Sequence, residues 1–183
     1  HLSNPTDKEI EFVNELTAIP EEFIKAALDE EERARIEVED NNVLALFDIP
    51  TLEEQDESYY TYSTLPFAFI STGKTVVTVC LKESAITQTF INGRVKGFAT
   101  YKRTRFLLQL LYVTSTRFLK YLKQIDKTSN RIQSELHRSM KNKELIQLLE
   151  IEKSLVYFST SLRGNSVVID KINRIDGIKF YEE

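Results

Sequence analysis

Three runs of acidic side chains are the clearest candidates for chemistry in the sequence. They are Asp29–Glu32, Glu37–Asp40 and Glu53–Glu57, each interrupted by at most one uncharged residue. Grouped carboxylates are hard oxygen ligands that suit Mg²⁺ or Ca²⁺, and Mg²⁺ takes only one or two of them directly because it keeps much of its water. The spacing and loop glycine of an EF-hand are absent. Each run therefore has two interpretations, a solvated surface or a point of cation contact.

A basic face is the second candidate, because such a face can neutralise phosphates or attract anionic lipid headgroups. The nearby aromatic residues fall on or beside an apolar seam, so they do not form a recognisable nucleic-acid module. An exposed helix face that contacts acidic neighbours and a specific polyanion site both remain open. Its residues are Lys102, Arg103, Arg105, Arg117, Lys120, Lys123, Lys127, Arg131, Arg138, Lys141 and Lys143.

Signals for an enzyme are sparse. The chain has two histidines, no G-x-S-x-G and no C-x-x-C, and its one cysteine, Cys80, lies in an apolar run that indicates an inert buried thiol. Gly73-Lys74-Thr75 is similar to the end of a phosphate-binding loop, but Ala68 stands where that loop requires its first glycine. The tripeptide instead predicts a hairpin turn. We expect no enzymatic activity and no organic cofactor.

Charge divides the chain into two unlike halves. Residues 1–91 carry 6 basic against 19 acidic side chains, a net charge of −13, whereas residues 92–183 carry 18 against 9, a net charge of +9. A length of 183 residues is enough for one stable core without disulfides or metal. The longest nearly apolar stretch, Phe106–Val113, is far shorter than the roughly 20 residues that cross a bilayer. This piece is therefore expected to be soluble.

Two short helices and a sheet are predicted for the first half. Thr6 and Glu9 form a capping box, and Ile10, Phe12, Val13 and Leu16 follow as one apolar face. A second helix begins at Pro20 and runs to about Leu28. Another helix, 84–91, is expected to cover the mostly antiparallel sheet. The predicted strands are Val43–Ile49, Tyr59–Ser63, Phe67–Ser71 and Thr75–Leu81, with Arg35–Glu39 as a weaker one.

Two long helices folded back as a hairpin are predicted for the second half. Apolar or small residues recur in steps of three and four over residues 107–136 and again over 148–172. Residues 105–137 would span roughly 50 Å as a helix, so part of the hairpin must project from the sheet domain or pack against another subunit. Gly164 and Gly177 are candidate ends of the second helix. The domains are thus 1–98, an α/β/α sandwich, and 99–183, the hairpin. The second seam comprises Leu148, Ile151, Leu155, Phe158, Leu162, Asn165, Ile169 and Ile172.

Several segments together resemble the amino-terminal cytoplasmic domain of the CorA magnesium transporters. The likeness covers nearly the whole chain, and its later segments are specific to a bacterial branch. It implies an α/β/α domain followed by two long helices, within a homopentameric membrane channel that conducts Mg²⁺ and sometimes Co²⁺ or Ni²⁺. The segments are Asn4–Thr6, Ile19–Pro20, Ala27–Glu37, Phe47–Pro50, Ser139–Leu145 and Glu152–Leu162.

The resemblance also implies what this chain lacks. The family's Gly-Met-Asn signature, its stalk helix and both membrane spans are missing from these residues, so we expect them beyond Glu183. In the family, acidic residues on the second short helix and on the first long helix bind intracellular cations between subunits. Those positions fall on Lys25, Ala26 and Val113, none of which is acidic. The nearest substitutes for a metal site are Asp29 and Glu30, about one turn further along.

The function expected from the sequence is therefore the cytoplasmic regulatory domain of a CorA-type Mg²⁺ channel. Its partners would be other copies of the chain and its own membrane domain, with no nucleic acid. Carboxylates at subunit boundaries would repel one another, and bound Mg²⁺ would hold the closed pentamer. Without stalk and spans, the chain is expected to be a monomer or a weak oligomer. The alternative is a soluble adaptor whose basic hairpin binds a protein or a polyanion, which steeply salt-dependent binding of nucleic acid would support.

Overall fold

A five-stranded mixed sheet forms the centre of the molecule, as the computed structural model describes it for residues 1–39, 42–56, 59–138, 142–172 and 174. The strand order is β1-β5-β4-β3-β2, in which only the β1–β5 pair is parallel. Helices cover both faces, so the predicted α/β/α class is confirmed, whereas the boundary after residue 98 stays a prediction. The strands are β1 (Leu2–Ser3), β2 (Arg35–Glu39), β3 (Asn42–Asp56), β4 (Tyr59–Ser71) and β5 (Val76–Cys80).

The two faces of the sheet follow from the alternation of side chains along each strand. On β3, Leu44 and Leu46 point to one apolar core, whereas Ala45, Phe47 and Ile49 point to the other. All five side chains are almost completely buried, which is the pattern of a strand covered on both sides. The predicted turn between β4 and β5 is also confirmed, since the Thr72 amide donates to the Thr75 carbonyl at 2.8 Å.

The first core lies under the short amino-terminal helices α1 (Asp7–Thr17) and α2 (Glu21–Lys25), which a 3₁₀ turn (Ala26–Leu28) follows. The capping box at the start of α1 is present, with both the Thr6 and the Glu9 side chains bonded. The predicted apolar face of α1 is wrong in part. Ile10 is buried, but Phe12 and Leu16 are 63% and 71% exposed. The helix reaches the first core through Ile10 and Val13 only, so Phe12 and Leu16 stay in solvent.

The second core lies under α3 (Ala85–Ile91), α4 (Arg103–Arg138) and α5 (Asn142–Ile172). Ser84 caps α3 by accepting a hydrogen bond from the Ile86 amide. The predicted seam of the first long helix is confirmed, because Leu107, Leu111 and Phe118 are buried. With 36 residues, α4 is about 54 Å long.

A long β3–β4 ribbon accompanies the hairpin where it passes beyond the compact part of the sheet. The two strands pair from Val43↔Ser71 to Asp56↔Tyr59, so β4 joins two segments that the sequence predicts as separate strands. Tyr62 on this ribbon packs with Phe118 and Tyr121 of α4 and Phe158 of α5 in a third apolar cluster. The ribbon therefore covers part of the hairpin that was expected to project.

The buried face of α5 agrees with the predicted seam at Phe158, Asn165 and Ile172, but it differs at three other positions, and this is a correction. Leu155, Leu162 and Ile169 are each about 40% exposed, whereas Ser154 and Ser161 are 2% and 3% exposed. The helix is rotated by part of a turn, because its position over the sheet requires polar side chains there. Gly164 does not end the helix, which continues to Ile172, and Gly177 lies outside the described residues.

Within residues 1–39, 42–56, 59–138 and 142–172, no helix combines the length and the apolar character needed to cross a bilayer.

Candidate cation-binding site

The acidic turn that contains Asp29 and Glu30 directly follows the 3₁₀ turn. At Asp29 the backbone leaves the helical region, with φ of −101° and ψ of 115°. Its carboxylate Oδ1 accepts the Glu31 amide at 3.0 Å, and its carbonyl accepts the Glu32 amide at 3.2 Å. Both Asp29 and Glu30 are exposed. The turn is therefore held by its own hydrogen bonds and presents its carboxylates to solvent.

Arg35 neutralises the acidic residues on one side of this turn. Its guanidinium lies 2.8 Å from the Glu32 carboxylate and 2.6 Å from the Glu37 carboxylate. Asp29 and Glu30 form no ion pair within the described part of the chain. Their charges are therefore left for a cation from outside, and two carboxylates are as many as Mg²⁺ commonly takes directly.

The three positions that the resemblance singles out carry no carboxylate that could ligate a cation. Lys25 is exposed, and the Glu21 carboxylate, 2.6 Å away, raises the pKa of its ammonium group. Ala26 is buried, and Val113 packs against the second core. No group of three or more histidine, cysteine or acidic side chains that could hold a metal occurs among the described residues. A metal site at Asp29 and Glu30 therefore stays a prediction.

The basic face of α4 is only partly exposed, because Arg103, Arg105 and Arg117 are half-buried, and Lys141 lies outside the described residues. Lys120, Lys123 and Lys127 lie in solvent and have no ion-pair partner among the residues that the structure describes. Arg117 lies over the Tyr121 ring at 5.9 Å. Because like charges repeat along one helix, this surface attracts anions and repels cations. It is unsuited to Mg²⁺ and complementary to the acidic amino-terminal half.

Cys80 has no part in a cation site. It is buried, its thiol donates to the Lys82 carbonyl at 2.8 Å, and burial raises the pKa of the thiol. Since the thiolate is the form that binds metals, the predicted inert role is consistent with this environment.

A polar row on α5 joins Asn165, which the predicted seam includes, with Ser154 and Ser161, which sequence reasoning missed. The Asn165 side chain accepts the Asp48 amide and donates to the Asp48 carbonyl, both at 2.8 Å. The pairing of β2 with β3 stops at Leu46, so the Asp48 amide and carbonyl, which point to the β2 side of β3, have no strand partner there. Asn165 thus continues the hydrogen bonding of β2 and fixes α5 to the sheet.

Two serines of the same row extend this anchorage. Ser154 accepts the Tyr62 amide at 3.2 Å, and Ser161 donates to the Thr64 hydroxyl at 2.9 Å. Together with Asn165 they recur at intervals of seven and four residues, which is one face of a helix. The sequence signal that could have predicted this buried row is the recurrence of small polar residues at helical spacing beside an apolar seam.

The chain is similar to known proteins over nearly its whole length. A family model described as "CorA-like Mg2+ transporter protein" matches residues 1–182. The soluble domain of CorA from Methanocaldococcus jannaschii aligns with a TM-score of 0.83 and 18% identity, over 97% of this chain and 71% of that one. The complete CorA magnesium transporter from the same organism gives 0.82 and 18%, over 97% of this chain and 56% of that one.

A third solved structure is more distant. The cytoplasmic domain of ZntB from Vibrio parahaemolyticus RIMD 2210633 aligns with a TM-score of 0.67 and 16% identity, over 91% of this chain and 65% of that one. No curated protein matches the sequence. At these identities the solved structures demonstrate a shared fold.

Proposed function

Because the chain belongs to the CorA-like Mg²⁺ transporter family, we propose that it is the cytoplasmic domain of a homopentameric Mg²⁺ channel and that it regulates the pore. The observation that carries this proposal is the match of the family model over residues 1–182. The fold shared with the soluble domain of a CorA protein supports it. Co²⁺ and Ni²⁺ are further candidate cargoes, and the role is regulatory rather than enzymatic.

In this proposal, permeation belongs to a membrane domain outside these residues. The chain spans 56% of the length of the complete CorA transporter with which it aligns. We propose that the remainder in the full-length protein supplies a stalk and the membrane spans, which place the chain on the cytoplasmic side of the cell membrane. The chain itself then acts as a sensor that responds to the internal Mg²⁺ concentration.

Sensing is proposed to depend on the charge of the amino-terminal half. Residues 1–91 carry a net charge of −13, so the heads of neighbouring subunits repel one another when they are close. Mg²⁺ bound near Asp29 and Glu30 at a subunit boundary would reduce that repulsion and favour the closed assembly. The effect requires that Mg²⁺ binds the closed assembly more tightly than the open one.

The polar row of α5 gives the head a mechanical connection to the hairpin. Asn165 is bonded at both its amide nitrogen and its oxygen to the backbone of β3, so the sheet and α5 move together. A displacement of the head at a subunit boundary would therefore be transmitted along α5. We propose that this is how the site at Asp29 and Glu30 influences the pore.

The test uses the full-length protein in liposomes that contain a Mg²⁺-sensitive dye. We expect Mg²⁺ on the cytoplasmic side to suppress influx in the wild type. The double variant Asp29→Asn/Glu30→Gln is expected to need at least about tenfold more Mg²⁺, which corresponds to about 1.4 kcal/mol, because it removes both carboxylate ligands. Glu11→Gln/Glu15→Gln on α1, which removes the same charge from an exposed helix, is the matched control.

If both double variants need the same increase in the Mg²⁺ concentration that suppresses influx, a site at Asp29 and Glu30 is contradicted. Only a general effect of charge would then remain. Failure of the wild-type protein to conduct Mg²⁺ would contradict the channel itself. Calorimetry of the isolated chain adds an independent check, since a site shared between subunits predicts weak Mg²⁺ binding. Tight and selective binding by the isolated chain would argue against this sharing.

A further inference from the structure

An open cavity of about 460 Å³ lies between the β3–β4 ribbon and the second half of α4. Leu52, Tyr60 and Tyr62 form its wall on the ribbon, and Gln124, Lys127 and Arg131 are among the residues that face them from the helix. This volume is within the range of small-molecule sites, roughly 300–1,000 Å³. Neither the acidic turn nor the polar row of α5 belongs to it.

The helix side of the cavity is cationic. Lys127 and Arg131 are four residues apart on α4, and Lys123 lies one turn before them, so like charges follow one another along the helix. Such like-charge i,i+4 pairs destabilise a helix. Arg131 forms only an exposed pair with Glu135 at 3.3 Å, and Lys127 forms none within the described chain. None of the described lining residues is acidic, so a bound anion would relieve this repulsion.

The ribbon side of the cavity is aromatic. Tyr62 is held in place by the rings of Tyr121 and Phe158, at centroid distances of 5.3 Å and 6.2 Å. Tyr60 is two residues earlier on the same face of β4 and is 54% exposed. Burial raises the pKa of the Tyr62 phenol, which therefore stays neutral and does not repel an anion. The wall offers one fixed ring and one accessible ring to a planar group.

We propose that this cavity binds a mononucleotide, with its phosphates between Lys127 and Arg131 and its base against Tyr60. Charge-assisted hydrogen bonds from lysine and arginine hold phosphate oxygens well, and stacking on an aromatic side chain stabilises a bound base. Gln124 and Thr128 also line the cavity, and their side chains make no hydrogen bond within the described residues, so they are available to the sugar or base edge. Inorganic phosphate alone would leave the aromatic wall unused.

The proposal is independent of ion conduction and is tested on the isolated chain. ADP, adenosine and pyrophosphate are titrated by calorimetry in Mg²⁺-free buffer, and we expect ADP to bind at least about tenfold more tightly than either fragment. Lys127→Glu and Tyr60→Ala are each expected to weaken ADP binding by about tenfold. Lys120→Glu makes the same charge change on the same helix outside the cavity and is expected to change affinity less than about twofold. Lys127→Arg is expected to retain binding.

Three results would overturn the proposal. Equal weakening by Lys120→Glu and Lys127→Glu would show that ADP responds only to the overall charge of α4. Equal affinity for pyrophosphate and ADP, with no effect of Tyr60→Ala, would show a simple anion site. Binding of single-stranded RNA far more tightly than ADP, with a steep salt dependence, would assign the surface to a polyanion. Thermal unfolding by circular dichroism verifies that each variant is folded.

Discussion

Replacing Asn165 by alanine tests how the long helices are fixed to the sheet. Asn165 is 6% exposed, and its side-chain amide makes two 2.8 Å bonds with the backbone of Asp48. The substitution removes both bonds at once. It leaves the Asp48 amide and carbonyl without partners at the edge that β2 does not reach, and the α5 backbone cannot replace them because its own groups are bonded within the helix.

The expected loss in the free energy of unfolding is large for the replacement of one side chain. A buried backbone group that loses its partner costs about 1–3 kcal/mol. Two such groups, partly reached by water after the change, give about 2–4 kcal/mol for Asn165→Ala. For a chain of this size, that corresponds to roughly 5–15 °C in the melting temperature.

Urea unfolding at pH 7, followed by circular dichroism, measures this loss as a shift of the midpoint at constant slope. Asn130→Ala, at an exposed position of α4, is the matched control and is expected to stay within about 0.5 kcal/mol of wild type. Asn165→Asp provides a second measurement. The ionised carboxylate would face the Asp48 carbonyl and destabilise at neutral pH, whereas the protonated acid can donate to it, so stability recovers as the pH falls. If Asn165→Ala loses less than about 1 kcal/mol, the proposed anchorage is refuted.

Two further substitutions examine the same contact region. Burial raises the pKa of the Asp48 carboxyl. The folded chain therefore binds more protons than the unfolded chain between the two pKa values, and it loses stability as the pH rises through that interval. Asp48→Asn is expected to remove this decline and to be the more stable protein at pH 7; parallel urea midpoints from about pH 4 to pH 8 for both proteins would contradict this. A Cβ at Gly164 would lie 3.1 Å from the Ala34 Cβ, so Gly164→Leu is expected to cost about 1–3 kcal/mol. Gly164→Ala is expected to change the stability little, because its gain in helix propensity, about 1 kcal/mol, offsets the tight contact. Equal melting temperatures for Gly164→Leu and Gly164→Ala would exclude a close approach between Gly164 and Ala34.

Much of the secondary structure could be predicted because its signals are local. The capping box at Thr6 and the serine cap at Ser84 involve residues within a few positions of one another. The apolar period of α4 likewise needs only its own residues, and the structure buries Leu107, Leu111 and Phe118 as predicted. The β1–β5 pairing was not predicted, since β1 has two residues and its partner lies more than seventy positions away. A strand of two residues is too short to show an alternating pattern of apolar and polar side chains.

The acidic residues of the candidate cation site could be predicted from the sequence, but the contacts that surround them could not. Asp29 and Glu30 are exposed, as an acidic run suggests, and Arg35 neutralises Glu32 beside them. That pairing depends on where β2 begins, which the acidic run itself does not reveal. The cavity beside Lys127 was equally hidden, because its two walls come from segments more than sixty residues apart.

The sequence alone determined the class of fold, the charge of each half and the family, since these depend on composition, local period and matching segments. Only the tertiary structure decided which face of α5 is buried, because that helix has apolar residues on several sides. Leu155 and Leu162 fit the period of the seam, yet Ser154 and Ser161 take the buried positions. The reason is physical: the helix crosses strands that carry polar groups in need of partners, the Tyr62 amide beside Ser154 and the Thr64 hydroxyl beside Ser161, and leucine would leave such groups unbonded.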